Sequence, residues 1–127
     1  MKEHGKLPIT EFEIMKVVWA NNPPITTNIV MDQLGNSKGW KAPTAIALML
    51  RLVERGYLST EKKNKERLYY PLTSRDEYLR FETEYFMRLY HENSFSSLFN
   101  SILNGEGMEE KDLDEMVSII TSSAGVS

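Results

Sequence analysis

The sequence predicts a mainly α-helical chain with one small β-hairpin, organised as a compact module over residues 1–73 and a helical extension over residues 74–127. Three observations lead there. Apolar residues recur at the helical period in several windows, most of them opened by Ser or Thr and closed by Gly or Pro. One window, "YLSTEKKNKERLYYPL", instead carries β-formers and alternation on either side of "NKE", the pattern of a hairpin. Charge also divides with the chain. Residues 1–73 hold eight Lys and three Arg against seven Asp and Glu, a net +4, whereas residues 74–127 hold one Lys and three Arg against eleven acids, a net −7. That asymmetry assigns anion binding to the first part and another task to the second.

The elements follow in chain order. "TEFEIMKVVWANN" opens on Thr10 with Glu13 three residues later, the spacing of a capping box, and lines up Phe12, Met15, Val18 and Trp19 before "NNPP" stops it. "TTNIVMDQLG" is a short second helix with Thr26 or Thr27 as its cap and Gly35 beyond its end. After the loop "NSKGW" a third helix takes Pro43 in its first turn, where no amide partner is lost, and ends at Gly56. Ala45, Leu48, Met49 and Leu52 form its core stripe. The opposite side is apolar too, with Pro43, Ile46, Ala47 and Leu50, and Glu54 as the only charge. A helix apolar on both sides in a small domain has a second partner.

Three short helices followed by a hairpin, with net positive charge, are the order of a winged helix-turn-helix. In that arrangement the third helix enters the major groove and the hairpin lies along the backbone as a wing. Thr44, Ile46 and Ala47, near the helix start, would then meet base edges, where apolar groups contact thymine methyls. Lys41 just before the helix and Lys62, Lys63, Lys65 and Arg67 on the wing are the phosphate contacts this arrangement predicts. Arg51 is expected to pair with Glu11 across the helices. Trp19 and Trp40 are packing residues, and Tyr69 and Tyr70 must point to opposite faces of their strand. The competing use of such a module is protein contact within a transcription or chromosome complex.

The second half reads as three more helices. "SRDEYLRFETEYFMRLYHEN" begins with Ser74 and Glu77, another capping box, and carries Tyr78, Phe81, Tyr85, Phe86 and Leu89. "SFSSLFNSILNG" supplies Phe95, Leu98, Phe99 and Ile102, and "MEEKDLDEMVSII" supplies Leu113, Met116, Val117 and Ile120 behind an acidic first turn. Helices this short cannot cover so many apolar groups alone. Either the winged module or a second copy of the chain covers them, and a second copy is the expected one, because one winged helix reads too few bases to be selective. The dimer set is therefore Tyr78, Tyr85, Phe86, Leu89, Phe95, Leu98, Phe99, Ile102, Leu113, Met116, Val117 and Ile120.

Several function classes fall away. The chain has no cysteine, so thiolate chemistry and thiolate metal sites are excluded. Its two histidines, His4 and His91, stand far apart in sequence, and no glycine-rich phosphate loop occurs. No enzyme, cofactor or metal is expected. No apolar run approaches the ~20 residues of a membrane helix, and "MKEHGKLPIT" lacks the apolar core of a signal peptide. A soluble, cytoplasmic protein is expected.

The runs "EFEIMKVVW", "WKAPTAIALMLRLVERGYL" and "EKKNKERLYYPL" resemble the penicillinase repressor family, which represses β-lactamase and methicillin-resistance genes. The family pattern is matched by Thr44, Ala45, Leu48, Met49, Arg51, Leu52 and Gly56, with Glu11 and Trp19 at its positions in the first helix. The resemblance implies a dimeric winged-helix repressor on a palindromic operator. Known members carry polar or basic side chains beside the matching Thr, whereas this chain has Pro43, Ile46 and Ala47, so its operator need not be theirs. The copper-responsive branch senses through a cysteine-rich motif that is absent here. In β-lactam-responsive members a membrane sensor protease cuts an Asn-Phe bond in the dimerisation helices. Alignment on the leucines puts Ser101-Ile102 at that bond, keeping small-polar then apolar character without Asn or Phe.

Overall fold

In the computed structural model, which describes residues 6–105 and 107–123, the first helix starts from a proline rather than a threonine. Helix α1 (Ile9–Ala20) is capped by Pro8 at φ −57°, with no side-chain hydrogen bond at the cap. The Pro8 carbonyl accepts from Phe12 N at 2.9 Å, which leaves Thr10 inside the first turn. The expected Thr10–Glu13 box therefore does not form, because a hydroxyl caps only from the residue before the helix.

Helix α2 (27–38) does begin as the sequence predicts, with the Thr26 side chain accepting from Ile29 N at 3.3 Å. Gly35 does not end it. The chain runs on through a π turn (Met31–Gly35) into a last turn (Asn36–Lys38), and Gly39 at φ 76° closes it. Gly35 packs closely under Met31 and Trp40, where a Cβ would stand 2.5 Å from Met31 Sδ and 3.3 Å from the Trp40 ring, so a side chain there would displace the Met31 thioether. Left-handed backbone at Gly39, not the earlier glycine, is the helix stop.

Helix α3 (Ala42–Glu54) carries Pro43 in its first turn, and Gly56 at φ 89° turns the chain out. Strands β1 (Leu58–Lys63) and β2 (Glu66–Pro71) pair antiparallel from Leu58↔Pro71 to Lys63↔Glu66. The turn is two residues, Asn64-Lys65, at φ 52° and 67°, so Glu66 belongs to the strand rather than the loop. Two positive φ values match the right-handed twist of a hairpin. Ile25 and Tyr69 exchange backbone hydrogen bonds of 2.8 and 2.9 Å, which ties the hairpin to the chain just before α2.

These elements enclose a core of Ile14, Met15 and Val18 from α1, Val30 from α2, Ala45, Met49 and Leu52 from α3, and Tyr57, Leu58 and Tyr69 from the hairpin region. Leu48 is only half-buried against it. A charged side chain is buried here too: Glu11, 2% exposed, accepts from Arg55 Nε at 2.8 Å. Arg51, the expected partner, is exposed. It lies one helical turn before Arg55, and only the later residue, at the helix end, reaches across to α1. Trp19 Nε1 donates to the Thr73 carbonyl at 2.9 Å and holds the exit of the hairpin.

Helix α4 (Arg75–His91) opens on the reciprocal box the sequence predicts, Ser74 N to Glu77 Oε1 at 2.9 Å and Glu77 N to Ser74 Oγ at 3.1 Å. Tyr78 is 1% exposed and packs on Phe12, Trp19 and Tyr57 with ring centroids 5.6 to 6.0 Å apart. Its hydroxyl accepts from Leu7 N and donates to Glu82. The chain forms two compact units, the first ending at Glu82 and the second beginning at Thr83. Tyr78, expected on a dimer surface, is spent in the first core. The second unit holds the rest of α4, α5 (Phe95–Leu103), whose Ser94 cap accepts from Ser97 N at 3.1 Å, and α6 (Glu110–Ser123).

Candidate nucleic-acid interface

The outer side of α3 is free over its first turns. Lys41, Pro43, Thr44 and Ala47 are exposed, and Ile46 is 36% exposed, while Ala45 between them is buried. Leu50 is half-buried against the core, so the open apolar face is confined to residues 42–47. Pro43 and Lys41 set this up locally. The N-cap residue is extended at φ −97°, which brings Lys41 alongside the first turn.

The wing supplies the charge. In the antiparallel register Lys62 lies directly opposite Arg67, and Lys63 opposite Glu66. Alternation then separates the wing cations. Lys62 and Arg67 share the face of Leu58 and Tyr69, whereas Lys63 shares the other face with Glu61, Glu66 and Tyr70. A groove between α2, α3 and the hairpin is lined by Thr27, Asn28, Ile46, Lys62, Lys65, Glu66, Arg67 and Tyr69. The groove thus joins Ile46 with Lys62, Lys65 and Arg67 and with one acid, Glu66, while Lys63 is absent from its lining.

Thr27 and Asn28 were not among the residues expected from the sequence. Their signal was the Thr26 cap, since the residues that follow a cap stand at an open helix start. Like charges directly opposite across a sheet are unfavourable in isolation. Lys62 and Arg67 therefore mark a surface suited to a polyanion, whose phosphates would offset the repulsion. Arg67 Nη1 is held 3.5 Å from Thr60 Oγ1, and Thr60 donates to the Leu68 carbonyl at 2.9 Å.

The tyrosines behind and beside this face stay neutral at physiological pH. Burial raises the Tyr69 hydroxyl, with nearby Arg67 opposing, and that hydroxyl is buried without a hydrogen-bond partner. Donation to Glu61 at 2.9 Å raises Tyr70. Among the described residues no group of His, Cys, Asp or Glu could hold a metal ion. His4 lies outside the described residues. His91 Nδ1 meets Ser97 Oγ at 2.8 Å and its ring packs on Phe86. No helix of the described residues is long and apolar enough to cross a membrane.

In the second unit the expected dimer residues fall into two groups. Phe86, Leu89, Phe95, Leu113, Val117 and Ile120 are exposed, joined by Tyr90, Leu103 and Ile119, which the sequence reading did not include. Tyr85, Leu98, Phe99, Ile102 and Met116 are half-buried. Ser101 and Ile102 lie inside α5, with Ser101 Oγ donating to the Ser97 carbonyl at 3.1 Å.

A family model described as "Penicillinase repressor" matches residues 8–122 of the chain. The chain belongs to the penicillinase repressor family. This is a family of transcriptional repressors, not of enzymes. Among penicillinase repressor relatives, the chain is 24% identical over 120 residues to the penicillinase repressor of Bacillus licheniformis, covering 94% of this chain and 93% of that one. It is 24% identical over 110 residues to the methicillin resistance regulatory protein MecI of Staphylococcus aureus, covering 87% and 89%. It also resembles the solution structure of the DNA-binding domain of the repressor BlaI, at a TM-score of 0.53 and 31% identity, over 61% of this chain and 94% of that one. The monomeric form of BlaI from Bacillus licheniformis in complex with the blaP half-operator matches at a TM-score of 0.50 and the same identity, over the same shares of the two chains. The winged-helix expectation for the first part of the chain is met.

Proposed function

We propose that this repressor holds a palindromic operator as a homodimer, with α3 of each copy in a major-groove half-site and the wings on the flanking phosphates. The observation that carries the reading is the exposed, uncharged start of α3 beside a wing face that bears Lys62, Lys65 and Arg67. A duplex offers what such a surface needs, base edges between two rows of phosphate. The solved complex of BlaI with a half-operator supports DNA as the partner here.

The dimer is supported by apolar surface. Phe95, Val117 and Ile119 are 68%, 63% and 58% exposed in the single chain. Burying a side chain of this size contributes about 1.5–3 kcal/mol, so a second copy that covers several of them forms a firm contact. Joining two half-site readers multiplies operator affinity without new base contacts. A cut at Ser101–Ile102 by a membrane sensor protease would part Phe95, Leu98 and Phe99 from Leu113, Met116 and Val117 and so weaken the dimer. The bond lies within a formed helix and lacks the family's Asn-Phe pair, so a signal that leaves the chain whole is the other route to derepression.

Sedimentation tests the assembly. The intact chain should run as a dimer at micromolar concentration, and a chain ending at Glu82 as a monomer. A monomeric intact chain would overturn the homodimer.

A further inference from the structure

We infer that the operator half-site is read mainly through thymine methyl groups, by Ile46 and Ala47 with Pro43 and Thr44 beside them. The inference rests on the repressor reading above and names the bases it acts on. The exposed side chains over 42–47 are those of Ala42, Pro43, Thr44, Ile46 and Ala47. None carries an amide, a guanidinium or a carboxylate. Bidentate reading of guanine takes Arg or Lys, that of adenine takes Asn or Gln, and cytosine is read by Asp or Glu. Lys41 stands outside the helix as its cap, where its charge suits a phosphate. Arg51 is exposed but lies about 10 Å further along the axis than Thr44.

The major groove presents one apolar group, the C5-methyl of thymine. An apolar face pressed on guanine or cytosine would strip water from base donors and acceptors and return nothing. The same face pressed on thymine buries a methyl against Ile46 or Ala47. Charge complementarity seats the duplex there, because Ile46 lines the same groove as Lys62, Lys65 and Arg67. Specificity thus comes from apolar contact, and the wing supplies the hold.

The test uses the full chain. A duplex enriched from a random pool is resynthesised with deoxyuridine for thymine in the half-sites, which removes the methyl and leaves the pairing edge unchanged. Each contacted thymine so replaced should weaken binding about fourfold. A duplex with deoxyuridine only outside the half-sites should bind as the parent does. The penalty should shrink in Ile46→Ala, whose thermal unfolding reports that the fold is retained. Equal affinity for the thymine and deoxyuridine half-sites would overturn the inference and leave the repressor reading standing, as would an enriched half-site without thymine. An undiminished penalty in Ile46→Ala would overturn the assignment to that residue. Failure to enrich any duplex would overturn the repressor reading itself.

Discussion

Glu11, almost out of water, accepts from the Arg55 guanidinium, and the choice of that guanidinium could not be read from spacing. Arg51 and Arg55 stand one turn apart on the same side of α3, so periodicity admits either as the partner; the helix end decides for Arg55, at 2.8 Å. Glu11 is buried while the Arg55 side chain is 39% exposed, so removing the arginine leaves a buried carboxylate uncompensated. Arg55→Ala should therefore cost about 3 kcal/mol in urea unfolding, and Arg51→Ala less than about 0.5 kcal/mol. Equal losses in the two variants would contradict the pairing. The buried tyrosines set a second expectation. Burial pushes the Tyr57 hydroxyl up to about 12, with Glu82 adding and Arg55 opposing, and Tyr69 and Tyr78 are raised as well. Above about pH 10 the unfolded chain ionises its tyrosines while the folded chain keeps these protonated. Fewer protons bound in the unfolded state mean that stability falls as pH rises. Urea midpoints should be insensitive to these groups up to about pH 9 and drop between about pH 10 and 12. A midpoint that climbs across that alkaline range would contradict their burial.

Elements were legible where a local signal acts alone. The Ser74/Glu77 box, Pro43 in a first turn and the stop at Gly56 all stand as the sequence predicts. Errors arose where two local signals competed. Thr10 and Glu13 have box spacing, but Pro8 starts the helix before them. Gly35 looks like a stop, but the chain stays helical through it and turns left-handed only at Gly39. The site was legible in the same measure. The charge of the wing is plain in the sequence, but which cation faces the groove depends on register, and the turn residues Asn64-Lys65 set that register. This gives the wing a sharp prediction. Lys62→Ala should weaken binding to all duplexes alike and lower the salt slope by about 1 for each copy bound. Lys63→Ala, on the other face opposite Glu66, should change both little. Equal effects, read by fluorescence anisotropy, would mean that the register does not sort the contacts.

At the scale of the molecule, the groove that gathers Lys62, Lys65 and Arg67 lies in the first unit, and most of the exposed large apolar side chains, from Phe86 to Ile120, lie in the second. The burial of Tyr78 was not legible, because it looks like any aromatic of an amphipathic helix until its neighbours Phe12, Trp19 and Tyr57 are known. Repression by this chain requires that α3 and the wing grip DNA. The direct measurement is the salt dependence of the intact chain's affinity for its enriched duplex, taken with wild type and with Ala47→Glu. Four cations in each copy, Lys41, Lys62, Lys65 and Arg67, predict a log–log slope of about −7 for a dimer. In Ala47→Glu a carboxylate faces the negative groove, and preference for the duplex over random DNA should vanish with the circular dichroism spectrum unchanged. Binding that ignores salt, or that survives Ala47→Glu intact, would contradict the account and favour a protein as the partner of this surface.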